Sequence, residues 1–600
     1  MADKALKERS LLSDQFKWCL EDIYPSDAEW EKEFSQTKID LQEAAKCRGT
    51  LAQGGEVLFD ALEKIYEVQL KGERLFVYSR MRLDEDNGNS TYQGLSDRAT
   101  ALMVEAESML SFVEPEILKI SDDKMASFFD SCKKLSKYRH MIDVLLHQKE
   151  HILPDEMEKL LAMSGEVAAA PRNIFNMLNN ADMKFPVIKD EDGTDVELTH
   201  GNYIPNMEST DRDVRKAAFT AMYETYKSYE NTIAATLSSS IKKDVFYSKA
   251  RKYESALHAG LHSDNVSVDV YKNLIAAIHE ALPSMYRYMD IKRKKLGVEK
   301  LHMYDIYTPI FQAEGMKVTY EQSKDMVLEA LKPLGSEYIS ALKEGLDSGK
   351  WIDVYENKGK TSGAYSWGVW GTHPYVLLNW NDTINNAFTL AHELGHAMHS
   401  HFSDTSRTYV DAQYPILLAE VASTCNEAIF MQYMLKNTKD KAQRLYLLNY
   451  FLEQFRTTMF RQVMFAEFEM ITHEMHESGQ ALTAQALKSE YRKLNELYYG
   501  NDMEIDELID MEWARIPHFY RAFYVYKYAT GFASAVALSN MVLSGGKAEQ
   551  ERYLNFLKAG GSKFPLETLK DAGVDLTQPD TVAGALKTFT KLVEEMEAEL

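Results

Sequence analysis

The sequence predicts a mainly α protein of two helical lobes, with one small β-sheet set beside a metal-binding helix. Three observations carry this prediction. Apolar residues recur at three- and four-residue spacing over most of the chain. Between Lys350 and Trp380 that rhythm gives way to short aromatic and β-branched runs separated by glycines. Just beyond them, Thr389–His399 carries His392-Glu393-Leu394-Gly395-His396, an H-E-x-x-H sequence. At 600 residues the chain also exceeds what one compact core usually holds, hence two lobes.

Composition narrows the function classes. With 45% hydrophobic and 26% charged residues, the chain is ordinary for a soluble globular protein. A formal net charge of -23 would repel phosphates, which argues against nucleic acid or an anionic membrane as partner. Cys19, Cys47, Cys132 and Cys425 are scattered and form no C-x-x-C pair. They suit a reducing compartment and rule out a cysteine metal site. The N-terminus lacks the apolar run of a secretory signal, and no stretch of about eighteen apolar residues occurs. A cytoplasmic location without a membrane span is the expectation.

Taken in order, Trp18–Trp30 enters a helix with Ser26 or Asp27 as its N-cap. Helical periodicity then covers about 57–85, 90–112, 122–150 and 154–181, punctuated by Asp86-Asn87-Gly88-Asn89 and by Pro154-Asp155. Four long antiparallel helices would make a first lobe. In Phe185–Leu198, two β-rich runs flank an acidic turn at Gly193, which reads as a hairpin. The lobe boundary is placed here, giving an N-terminal helical lobe over 1–200 and a catalytic domain over 201–600. Helices resume from Asp211 to about Lys249 and from Val268 to Lys295.

Trp351–Tyr355, Gly363–Gly368 and Tyr375–Trp380 read as the small sheet. Its edge can hold an extended peptide through main-chain hydrogen bonds, or the sheet can simply buttress the next helix. In that helix the two histidines are four apart, about 40° from each other around the axis, so both imidazoles reach one ion. Glu393 then sits beside the ion as a candidate general base for its water. The bland alternative is a buried helix whose histidines only satisfy hydrogen bonds.

The downstream helix favours the metal. Pro415–Glu427 starts with a proline suited to a first helical turn and runs as a mostly apolar helix. Glu420 is a lone carboxylate among Leu417, Leu418, Ala419, Val421 and Ala422. A cation would resolve the cost of such a carboxylate, and two histidines plus one glutamate is a catalytic zinc pattern. His399 and His401 are rotated away from the pair and are expected to be satisfied by neighbours or solvent. His473-Glu474-Met475-His476 lacks the four-residue spacing, and its charged context suggests an exposed helix. Farther on, Trp513–Gly531 is dense in phenols, with Tyr520, Tyr524 and Tyr528 at four-residue spacing on one predicted face. Most of these rings read as packing. His518 and one or two tyrosines are candidate donors to a developing oxyanion.

Taken together, HELGHAMH, the upstream SGAYS and HPYVLLNW, the downstream LLAEVAST and IPHFYRAFYVYKYATG, and the N-terminal WCLEDIYPSDAEWE resemble the oligoendopeptidase F family. That family belongs to the thimet-oligopeptidase superfamily of zinc peptidases. The resemblance implies a two-lobed helical ellipsoid with a deep central channel that admits peptides and excludes folded proteins. It implies one zinc ion per chain on His392, His396 and Glu420, with Glu393 as base and Glu427 supporting the ligands. It also implies His518 with Tyr528 or Tyr524 at the oxyanion, and Gly363 and Ala364 against the substrate. Oligopeptide substrates are the implied partners, and nothing in the residues fixes an oligomeric state. Two rivals stand beside this reading. A metallocarboxypeptidase on a related helical scaffold would use the same three ligands. A non-catalytic peptide-binding relative would have a vestigial site, against which stands the intact set of ligands, base and donors.

Overall fold

A computed structural model describes residues 6–312 and 316–600. The N-terminal stretch read for a targeting signal begins in residues 1–5, outside that range. Among the described residues helices dominate, and the strands form three small sheets. Among the described residues, no helix is long and apolar enough to cross a membrane.

Two compact units interleave along the chain. The first comprises Met1–Glu150, Gly315–Tyr433 and Leu538–Val574. The second comprises His151–Glu314, Met434–Ala537 and Asp575–Leu600. This differs from a single boundary near 200. Packing explains the shift: the helix Gly165–Met177 lies on Glu230–Ala250, and the hairpin near Gly193 lies on Arg212–Ser228. The segment His151–Glu314 therefore belongs to the second unit.

In the first unit, Ser26 caps Asp27–Ala45 by accepting from the Glu29 amide. The long helix Gly55–Glu85 buries Leu58, Leu62, Ile65, Val68, Gly72 and Leu75, the three-four rhythm visible in the sequence. It packs against Ser90–Leu110, and a Cβ at Gly72 would lie 2.9 Å from the Met103 sulfur. The helix predicted over 122–150 is broken into Asp122–Ser131, a tight turn over Lys133–Tyr138, and Arg139–His147. Cys132 adopts an extended backbone at the break, which lets Leu135 and Tyr138 bury themselves. The Tyr138 ring stacks on Tyr66, and its hydroxyl donates to Glu63. Tertiary burial overrides periodicity here.

In the second unit, the helix predicted over 154–181 divides at Ser164 into Asp155–Met163 and Gly165–Met177. The predicted hairpin is present, Val187–Lys189 pairing antiparallel with Asp195–Glu197 around Gly193 at φ 74°. Arg212–Ser228 and Glu230–Ala250 are separated by Tyr229, and Val268–Leu296 ends at Gly297 in the left-handed region.

The sheet before the helix that carries His392 and His396 forms as predicted. Tyr375–Leu377 lies between Ile352–Asp353, parallel to it, and Tyr365–Trp367, antiparallel to it. Tyr365–Trp367 is thus an edge strand, and it packs along the helix Ile384–Ser406. The buried Lys360 ammonium ties the connecting loop down, pairing with Asp353 at 2.7 Å and donating to the carbonyls of Tyr355 and Leu378.

Candidate metal centre

The helix Ile384–Ser406 starts where the Thr383 hydroxyl accepts from the Asn386 amide. Ile384, Phe388, Ala391, Leu394, Ala397 and Met398 point into the first unit's interior, which leaves His392 and His396 on one partly open side. Their Nε2 atoms stand 3.2 Å apart.

Glu420 arrives on the helix Ile416–Asn437. Gly395 sets how close the two helices come, because a Cβ there would lie 2.5 Å from the Ser423 Cα and 2.8 Å from the Ala422 oxygen. Backbone meets backbone at this crossing, which no side chain would allow. Asn426 fastens it, donating to the Ala391 carbonyl at 3.1 Å while accepting from the Tyr338 hydroxyl at 2.9 Å. An isolated glycine in a helical pattern is the only sequence signal for this contact.

The result is a nearly equilateral triangle. Glu420 Oε2 lies 3.4 Å from His392 Nε2 and 3.3 Å from His396 Nε2. Donors about 2.0–2.1 Å from a tetrahedral zinc ion are spaced about 3.3 Å apart, so the three residues fit that ion. Among the described residues this is the one group of histidine, cysteine and carboxylate side chains close enough to share a metal. Glu420 is 49% exposed, not sunk among its apolar neighbours as the sequence suggested. Leu417, Leu418, Val421 and Ala422 turn inward, and the carboxylate turns out toward the imidazoles. The Ser423 hydroxyl donates to Glu420 Oε2 at 3.0 Å.

Charges around the triangle are tuned by one another. Burial acts to lower the His392 pKa, but Glu420 and Glu427 outweigh it and raise the value to about 10. Burial acts to raise the Glu420 pKa, and the two imidazoles outweigh that, drawing the carboxyl below its usual range. His392 Nδ1 donates to Glu427 Oε1 at 2.5 Å, which fixes the ring and leaves Nε2 for the metal. Glu427→Ala should therefore weaken zinc binding about 10–100-fold without unfolding the protein, as measured by competition with a chromophoric chelator.

Glu393 is only 7% exposed, and its Oε2 has no protein partner among the described residues. Burial raises its pKa, opposed by the two imidazoles. A buried carboxylate oxygen with no protein donor, next to a set of metal ligands, suits a site for water.

The remaining candidates divide. Gly363 is exposed at φ 90°, and Asn379 holds its carbonyl at 2.8 Å; Ala364 follows, leading into the edge strand. His399 differs from the expectation of satisfied nitrogens. It is fully buried, stacked on Tyr414 at 3.7 Å, and neither ring nitrogen has a partner among the described residues. Burial lowers its pKa to about 3, so it packs as a neutral aromatic ring. His401 is half-buried against Trp351. His473 is 2% exposed, against the prediction of an exposed helix. Its ring turns onto Phe523 while Glu474 stays outside, and Nδ1 donates to the Glu469 carbonyl at 2.8 Å.

His518, Tyr524 and Tyr528 belong to the second unit, whereas the metal triad belongs to the first. Their rings form a cluster with centroids 6.2 Å (His518–Tyr524), 6.1 Å (His518–Tyr528) and 5.5 Å (Tyr524–Tyr528) apart. Burial, then Arg461 and Arg521, lower the His518 pKa, which favours a neutral imidazole. Tyr520 is packing, as expected, stacked on Phe175 and bonded to Thr236. The predicted single face of Tyr520, Tyr524 and Tyr528 does not exist. The turn Pro517–Tyr520 ends, the chain bends at Phe523, and a helix begins only at Tyr526.

Comparison with known proteins gives the family. The profile of Peptidase family M3 matches residues 206–588, and that of Oligopeptidase F matches residues 116–185. Oligopeptidase PepF of Bacillus subtilis (strain 168) is 47% identical over an alignment covering 99% of this chain and 88% of that protein. An oligoendopeptidase F homolog of Lactococcus lactis subsp. lactis is 42% identical, covering 98% of both. The crystal structure of oligoendopeptidase-F from Enterococcus faecium aligns at 38% identity with a TM-score of 0.74, over 96% of this chain and 99% of that one.

Proposed function

The chain belongs to peptidase family M3, the oligopeptidase F group of metallo-oligopeptidases, and from that premise we propose that it is a zinc-dependent endopeptidase of short peptides. The observation that carries this reading is the donor triangle of His392, His396 and Glu420, with the unpartnered Glu393 oxygen beside it. The chemistry that zinc supplies when bound is polarisation of a carbonyl and a lowered pKa for water. Glu393, whose Oε2 is not engaged by a protein donor among the described residues, takes the proton from the attacking water and passes it to the leaving amine. Glu427 keeps His392 oriented throughout. His518 and Tyr528 donate to the developing oxyanion, with Tyr524 as the alternative phenol; the clustering of the three rings supports this. Gly363 and Ala364 offer main-chain groups to an extended substrate beside the edge strand.

Digestion of peptides blocked at both ends, followed by mass spectrometry with and without a chelator, tests the reading. Internal cleavage that stops with the chelator is expected, and a folded domain in the same mixture should stay intact. A carboxypeptidase would spare the blocked peptides, and a binding protein would cut nothing.

Tyr528→Phe should lower kcat about 10²–10³-fold with KM and zinc content nearly unchanged. Tyr520→Phe should leave kcat nearly untouched, because its hydroxyl is already spent on Thr236. Steady-state kinetics of both variants and of Tyr524→Phe identify the donor.

A further inference from the structure

The phenols lie on either side of an unusual backbone position. Phe523 is a buried aromatic residue at φ 56°, in the left-handed region that side chains other than glycine, asparagine and aspartate rarely adopt. Three elements of the second unit hold it there. Its amide donates to Glu469 Oε1 at 3.2 Å, and Glu469 is itself buried, on the helix Arg461–Glu477. Its ring fills a slot over Gly260, where a Cβ would lie 2.8 Å from the ring's Cδ2. His473 closes the slot from the side at 4.6 Å, and Tyr271 meets the ring edge-on at 6.0 Å. Four residues later, Lys527 pairs with Asp264 at 2.5 Å and fixes the start of the next helix.

What the left-handed bend accomplishes is directional. It turns the chain between Pro517–Tyr520 and the helix from Tyr526, and so sets Tyr524 and Tyr528 at 87° to each other beside His518. We propose that Phe523, locked by Glu469 and Gly260, is a positioning residue that fixes the geometry of the His518–Tyr524–Tyr528 donors. This rests on the proposed oxyanion role of those donors. Burial pushes the Glu469 carboxyl well above its usual range, so glutamine is its close mimic and leucine removes the acceptor.

The test compares Gly260→Ala, Glu469→Leu and Glu469→Gln, each alone and in a Tyr528→Phe background, with zinc content and thermal unfolding measured alongside. Gly260→Ala and Glu469→Leu should lower kcat about 10–100-fold, with KM within about threefold and zinc at full occupancy. Affinity for a phosphinic peptide, which mimics the tetrahedral intermediate, should fall in parallel with kcat. Glu469→Gln should restore kcat to within about threefold of the native protein. In the Tyr528→Phe background the further loss should shrink to about twofold or less, because the two changes act on the same donor. Additive losses, losses confined to KM, or full kcat in folded Gly260→Ala and Glu469→Leu would overturn the proposal. Should Gly260→Ala fail to fold, Phe523→Leu takes its place under the same criteria. If Tyr524→Phe and Tyr528→Phe are both silent, the oxyanion reading fails first and takes this one with it. If Tyr528→Phe is slow while the anchor variants are not, only the positioning role of Phe523 falls.

Discussion

Replacing Glu393 with glutamine is expected to leave zinc at one equivalent per chain and to cut turnover by about 10²–10⁴-fold, the usual contribution of a positioned general base. The side chain keeps its shape but loses the group proposed to take the proton. Since Glu393 lies outside the donor triangle, metal affinity should hardly change. Because its Oε2 has no protein partner among the described residues, the substitution also breaks no hydrogen bond there and should leave thermal unfolding close to that of the native chain. Elemental analysis beside single-turnover kinetics separates these effects. Zinc loss in step with activity would instead place Glu393 among the ligands.

Removing Glu420 should have the opposite signature. Glu420→Ala leaves two imidazoles 3.2 Å apart without the carboxylate that completes the donor triangle. Zinc affinity should drop by more than about 10²-fold, beyond what loss of a supporting residue costs, and activity should vanish at trace metal. In the native protein, a chelator should abolish turnover and added zinc should restore it. In Glu420→Ala, added zinc should restore little. Full stoichiometry of zinc in Glu420→Ala would remove this residue from the metal shell.

How much of this is legible in the sequence depends on how local each signal is. His392, His396 and Glu393 are fixed by helical spacing alone, and their geometry follows from 3.6 residues per turn. Glu420 is recognisable as a charge out of place, though its half-exposed setting is not. The helix expected over 122–150 fails because Cys132 leaves the helix for the sake of Leu135 and Tyr138, a choice made by long-range burial. The row of three tyrosines fails for a related reason. Phe523 occupies a backbone region normally marked by glycine or asparagine, and phenylalanine gives no warning of it. His473 reads as exposed because its neighbours are charged, yet the helix turns that one ring onto Phe523. The interleaving of the units is invisible for the most general reason: it is defined by contacts between segments hundreds of residues apart.

The crossing at Gly395 bears on how the chain would take up a metal. The helix of His392 and His396 and that of Glu420 touch backbone to backbone, and Asn426, itself held by the Tyr338 hydroxyl, bonds one to the other. Loading would then resemble the filling of a finished vessel, in contrast to zinc fingers, whose chains stay unfolded until the ion arrives. If these contacts set the crossing, stripping a bound zinc ion should leave the chain folded, with thermal unfolding close to that of the loaded protein, where chelation unfolds a zinc finger.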